Sequence, residues 1–169
     1  HAIRDACAAQ GLPIDTLIKE SAPSQYEINL YHSDDALVAA DQAMMLQRAI
    51  KGVARQQDLR ATFLAKPFGD LAGNGLHLHC SLLDSTGKNA FDDGTGQGNE
   101  LLLQAIAGSL ATMEESMLLF APNLNSYRRV QRGPHAPLAP RWGYEKRADA
   151  VRVPADEPHA TRSEHRGGG

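Results

Sequence analysis

Two histidines, His77 and His79, stand two residues apart in an apolar run that reads as a strand, Leu76–Leu83. On a strand that spacing turns both imidazoles to one face, where they can converge on one site. Ser81 continues the same alternation. Two histidines on a half-buried strand can equally be satisfied by hydrogen bonds. Glu20 and Glu27 flank a turn between two extended runs. Carboxylates brought close there repel unless a cation sits between them, whereas on a solvated hairpin they are ordinary surface charges. Near the end of the chain, Arg162-Ser163-Glu164-His165-Arg166 alternates again, so Arg162, Glu164 and Arg166 share a face, either as a structural ion pair or as part of a site. Arg128, Arg129, Arg147 and Arg152 add planar donors in the same region. Guanidinium groups match carboxylate and phosphate geometry bidentately. Histidines and carboxylates suited to metals, beside several arginines, therefore describe a nucleotide-phosphate site. The alternative, a non-haem iron facial triad built from H-x-H and a distant Glu, leaves the arginines unexplained.

The elements that must position these groups follow from local pattern. Residues 1–12 read as the tail of a helix closed by Gly11 and followed by Pro13. Ile14–Lys19 and Gln25–Tyr31 read as a hairpin across Ser21-Ala22-Pro23-Ser24. From Asp34 to about Gln57, apolar residues recur at helical spacing behind a Ser33-Asp34-Asp35 cap. Ala61–Ala65 and Leu76–Leu83 read as strands, residues 84–98 as a polar, glycine-rich loop, and Glu100–Phe120 as a second long helix. From Asn123 onward the pattern is one of short strands and prolines. Helices and strands alternate without a strict βαβ rhythm. This favours an α+β fold: a curved, mostly antiparallel sheet carrying the site, flanked by long helices.

Composition narrows the function classes. With 169 residues, 42% of them hydrophobic and 22% charged, the chain has the material of a globular domain or a large piece of one. Its formal charge of -3 offers no electrostatic footprint for nucleic acid or a membrane surface, so neither partner is expected. Cys7 and Cys80 form no C-x-x-C, so a reduced, cytoplasmic setting fits best. The chain begins at His1 rather than Met and stops after an alternating segment. It is therefore expected to be a piece of a longer domain.

Six segments together resemble the glutamine synthetase family, across essentially the whole chain. They are Lys19-Glu20-Ser-Ala-Pro-Ser-Gln-Tyr-Glu27-Ile-Asn-Leu, Ala61-Thr-Phe-Leu-Ala-Lys-Pro, and Gly73-Asn-Gly-Leu-His77-Leu-His79. Asn125-Ser-Tyr-Arg-Arg129, Trp142-Gly-Tyr-Glu-Lys-Arg147 with Val151-Arg152-Val-Pro, and Ala160-Thr-Arg162-Ser-Glu164-His-Arg166 complete the set. The resemblance implies that Glu20 and Glu27 ligate a first divalent ion, Mg²⁺ or Mn²⁺, and that His77 and Glu164 ligate a second. It implies that His79 contacts the γ-phosphate side of ATP and that Ser81 contacts the nucleotide. Arg147, Arg152 and Arg162 would neutralise the ATP phosphates. Gly73 would start the loop over the substrate glutamate, and Arg129 and Arg166 would clamp its carboxylates.

The implied reaction is glutamate plus ATP to γ-glutamyl phosphate, then attack by an amine. Ammonia-using members carry a glutamate six residues after the arginine equivalent to Arg129, and an asparagine before the glycine loop. Here His135 and Ala72 stand at those positions. A histidine supplies no permanent negative charge for ammonium. The pattern is closer to the γ-glutamyl-polyamine ligases, so a putrescine-like amine is expected in preference to ammonia. The family's N-terminal β-grasp domain and its C-terminal remainder are expected to lie outside residues 1–169, with sites completed between neighbours in a homo-oligomeric ring. The isolated chain is accordingly expected to be nearly inactive and, with apolar faces left uncovered, prone to self-association. A non-catalytic remnant is the alternative from another function class.

Overall fold

The computed structural model describes residues 1–130, 139–146, 149–154 and 160–167. They form two compact units: His1–Phe63 with Pro67–Ala72, and Leu64–Lys66 with Gly73–Gly169.

In the first unit, helix α1 (Ala2–Ala8) ends in a turn whose Gly11 sits at φ 69°. That left-handed conformation suits glycine. The Leu12 amide then donates to the Cys7 carbonyl at 2.9 Å, which turns the chain into β1 (Ile14–Lys19). β1 pairs antiparallel with β2 (Tyr26–Leu30), as the alternation predicts. Helix α2 (Ala36–Gln56) starts where the Asp35 carboxylate accepts from the amides of Leu37 and Val38. Cys7, Leu12, Leu46 and Ala49 form the core of this unit, with Ile14, Ile28 and Leu30 packed against it. The even-numbered side of β2 therefore faces the helices, and Glu27 lies on the other side.

The second unit is built on a four-stranded sheet in the order β3 (Leu76–Cys80), β6 (Ser163–Gly167), β5 (Val151–Val153), β4 (Trp142–Tyr144). Only β4 and β5 run parallel, so the α+β, mostly antiparallel expectation holds. Val151 and Val153 pack with Phe91 and with Leu102 and Ile106 of helix α3 (Glu100–Ala111) in a second core. Alternation then sends Arg152 to the opposite face of β5. Asn99 caps α3 by accepting from the Leu102 amide at 3.3 Å, while its own amide group holds the Ala90 carbonyl.

Four expectations need correction. Ala61–Ala65 is not a strand: the amide of Lys66 and the carbonyls of Leu64, Ala65 and Lys66 bond to Asn74 and Asn125 rather than to a neighbouring strand. β3 ends at Cys80, and Leu83 makes only an isolated bridge to Asn89. The long helix over 100–120 breaks after Ala111 and resumes as α4 (Met117–Phe120). Near the break, the Ser109 and Thr112 hydroxyls bond back to the Ala105 and Gly108 carbonyls, contacts that bend and weaken helices. Leu124–Arg129, read as part of a strand-rich tail, is a short helix, α5. Among the described residues, no helix is long and apolar enough to cross a membrane.

Candidate active site

Strand register assembles the site of the second unit. Arg152 on β5 pairs with Glu164 on β6, and Glu164 pairs with His79 on β3, so three functional side chains lie in one row across the sheet. The neighbouring row pairs His77 with Arg166. All five project from the face opposite Val151 and Val153. The apolar core thus holds the back of the sheet while the polar row occupies its front.

Glu164 is the centre of this row and is fully buried. The Arg152 guanidinium grips its Oε2 through Nε at 2.6 Å and through a second contact from Nη2. Arg166 Nη1 donates to Oε1 at 3.3 Å. His77 Nδ1 stands 3.2 Å from the same oxygen, and His79 Nε2 3.9 Å from Oε2. Burial alone would raise the Glu164 pKa. The hydrogen bond and charge of Arg152, followed by His77 and His79, outweigh it and hold the carboxyl below its usual range. A buried carboxylate with this many donors is anionic at neutral pH.

The histidines answer to the same surroundings. Burial, reinforced by the Arg166 charge, lowers His77 to about 4 against the pull of Glu164, so its imidazole is neutral near pH 7. Arg162 Nε donates to His79 Nδ1 at 2.8 Å. A guanidinium has no acceptor, so this bond leaves Nδ1 without a proton and places the proton of a neutral His79 on Nε2, towards Glu164. Arg162, His79, Glu164 and Arg152 form one continuous polar chain.

The alternation expected over Arg162–Arg166 is therefore realised, with both His77 and His79 joined to it. Ser81 is not: β3 stops at Cys80, and Ser81 lies beyond it, exposed. Gly73 lies against Arg129, whose Cδ and Cγ would be 3.1 and 3.2 Å from a Cβ built there. Burial, then the nearby Arg166 charge, lowers the Arg129 pKa. Glu20 and Glu27 occupy the first unit. The register Ile18 with Glu27, and Lys19 with Tyr26, puts Glu20 opposite Gln25 and makes the two glutamates diagonal neighbours on one hairpin face. Arg147 and His135 lie outside the described residues. Sequence reasoning gave no role to Asn74, Gly75 and Asn125, which surround Arg129 and the segment beneath it. Two glycines flanking an asparagine, in Gly73-Asn74-Gly75, were the available signal.

A carboxylate, two imidazoles and four guanidiniums gather here, a set of residue types that does not by itself name one enzyme. The family model for the glutamine synthetase catalytic domain matches residues 1–169. The chain belongs to the glutamine synthetase family. It is 40% identical to γ-glutamylputrescine synthetase PuuA of Escherichia coli strain K12, over 97% of this chain and 35% of that protein. It is 39% identical to γ-glutamylethanolamide synthetase GlnA4 of Streptomyces coelicolor, over 89% of this chain and 32% of the relative. The chain spans about a third of the length of these relatives. Among solved structures it is similar to GmaS without ligand, with TM-score 0.83 and 31% identity over 98% of this chain and 38% of that one.

Proposed function

We propose that this chain is part of the catalytic domain of an ATP-dependent ligase that joins the γ-carboxylate of glutamate to an amine through γ-glutamyl phosphate, with an organic amine such as putrescine preferred. The observation that carries the reading is the row Arg152, Glu164 and His79 with His77 and Arg166 beside it: a buried anion ringed by donors, on one face of a sheet. Folding alone does not require that set. Relatives named for γ-glutamylputrescine, γ-glutamylethanolamide and isopropylamine support an organic acceptor.

The residues fit a divalent ion as a donor pair. His77 Nδ1 and Glu164 Oε1 are 3.2 Å apart, a nitrogen and an oxygen donor close enough to face one small cation together. His77 and Glu164 would hold one Mg²⁺ or Mn²⁺, and Glu20 and Glu27 another. Bound metal would supply charge neutralisation for the transferring phosphoryl group. Arg152 would keep Glu164 ionised and oriented. His79, its Nδ1 engaged by Arg162, would present an N–H on its other nitrogen. Arg152, Arg162 and Arg147 would neutralise the ATP phosphates, and Ser81 would contact the nucleotide. Arg129 and Arg166 would clamp the glutamate carboxylates, with Gly73 at the start of the loop over them. The full protein would work as a homo-oligomer in the cytoplasm.

The test is glutamate-dependent phosphate release from ATP by the protein of the whole reading frame that contains this chain, with putrescine, ethanolamine, isopropylamine and ammonium compared. Preference for an organic amine is expected, and phosphate release with none of them would overturn the reading. A second reading, an ammonia-using enzyme, is favoured by 36% identity to glutamine synthetase of Halobacterium salinarum. It predicts ammonium as the best acceptor. Under the first reading, His135→Glu improves ammonium use.

A further inference from the structure

Segment 64–66 runs past the base of Arg129 without belonging to any sheet, yet its backbone is held on two sides. From helix α5, the Asn125 side chain accepts from the Lys66 amide at 2.7 Å and donates to the Lys66 carbonyl at 2.9 Å. From the glycine loop, the Asn74 amide donates to the Ala65 carbonyl at 2.8 Å and its side chain donates to the Leu64 carbonyl at 2.8 Å. Backbone donors and acceptors are fixed in kind, so both side-chain amides can sit only one way round. Asn125 is four residues before Arg129, so the α5 anchor and Arg129 share one short helix.

The loop meets the Arg129 side chain directly. A Cβ on Gly75 would stand 2.6 Å from Arg129 Nη2, 3.1 Å from Cζ and 3.2 Å from Nη1. A Cβ on Gly73 would stand 2.3 Å from the Ala65 carbonyl oxygen, within the brace itself. Neither glycine has a positive φ, so backbone conformation does not call for glycine at either position. What calls for it is space: at Gly75 for a guanidinium, at Gly73 for a backbone carbonyl.

We propose that Gly75 and Asn125 are positioning residues for Arg129: Gly75 is the floor on which its guanidinium rests, and the Asn125–segment 64–66–Asn74 brace fixes the distance between that floor and the helix carrying the arginine. Their importance to catalysis rests on the reading of Arg129 as a carboxylate clamp.

Gly75→Ala separates position from folding, because the atoms it meets are the far end of a flexible side chain. The added methyl moves the guanidinium and leaves the backbone in place. Asn125→Ala removes the brace, and Asn125→Asp restores only the bond from the Lys66 amide. The first readout is ligand-free: the ¹⁵N resonance of Arg129 Nε, assigned as the signal missing in Arg129→Lys. It is expected to shift, and its N–H to exchange faster with water, in Gly75→Ala and Asn125→Ala, with Asn125→Asp between Asn125→Ala and wild type. Wild-type signals in Gly75→Ala would overturn the proposal whatever the activity. The second readout is kinetic, in the protein of the whole reading frame. An error of about 1 Å in the clamp is expected to lower kcat/KM for glutamate about 100-fold in Gly75→Ala, with KM for ATP unchanged. A parallel loss for both substrates would mark a general structural defect and overturn it. Shifted Arg129 signals in the two variants, together with a wild-type protein that never responds to glutamate, would support the positioning geometry and overturn the carboxylate reading instead.

Discussion

Arg152 and Glu164 stand directly opposite each other on β5 and β6, and the guanidinium closes on a carboxylate that solvent does not reach, with Nε 2.6 Å from Oε2. The same residue of β6 meets His79 on its other side. One buried charge therefore ties three strands together, and its loss would be felt by both the fold and the site.

Glu164→Gln is expected to destabilise the protein by about 3–5 kcal/mol, because it leaves the buried Arg152 charge uncompensated. Urea unfolding measures it. Replacing the pair together, Glu164→Gln with Arg152→Met, should recover part of that loss, since the second change removes the orphaned charge. Additive losses in this double-mutant cycle would show that the two side chains are not coupled.

Acid should weaken the metal-free fold through His77. Its folded pKa of about 4 lies below the unfolded value near 6.5, so between these values the unfolded chain binds a proton that the folded chain refuses. Stability is therefore full above about pH 6.5 and falls as pH drops through that window, by at most about 3 kcal/mol for this group. Burial lowers His165 in the same direction, and protonation of Glu164 adds to the loss at lower pH. Titrating the His77 ring resonance in the presence of EDTA checks the assignment. A midpoint near 6.5 would refute it.

The cysteines should differ in access. Cys7 is 0% exposed in the core of the first unit, whereas Cys80 is exposed at the end of β3. Desolvation raises both thiol pKa values, at Cys80 through partial shielding by its neighbours, so thiolate is scarce at pH 7 in each. With a thiol reagent in native buffer, one slow equivalent from Cys80 is expected. Cys7 should react only after unfolding.

Leu102→Ala is expected to cost about 2–5 kcal/mol by opening a cavity behind Val151 and Val153. The front of β5 carries Arg152, so this core change should also loosen the Arg152–Glu164 contact. Thermal unfolding gives the first effect, and a chemical-shift change at the Arg152 Nε resonance gives the second.

Much of this was readable from local pattern. The i, i+2 spacing of His77 and His79 and of Glu164 and Arg166 is a strand property, and the strands formed where that alternation ran. The hairpin over Glu20 and Glu27 and the Asp35 cap followed from turn and capping chemistry within a few residues. Segment 61–65 misled because its apolar, β-prone residues describe a strand equally well whether the backbone meets another strand or asparagine side chains. The break after Ala111 was hidden for a related reason: apolar periodicity continues through residues 112–116 while Ser109 and Thr112 turn their hydroxyls onto the helix backbone.

By itself the sequence determined which residue types stand on which face of each element, and hence the chemistry available to a member of the glutamine synthetase family. Only the tertiary structure decided which of those faces meet. Alternation within β3, β5 and β6 says nothing about register between them, and a slip of one residue would have carried Glu164 away from Arg152 and His79. Register is set by long-range packing, here Val151 and Val153 against Leu102 and Ile106, so the row at the centre of the site is a property of the folded core rather than of any one segment.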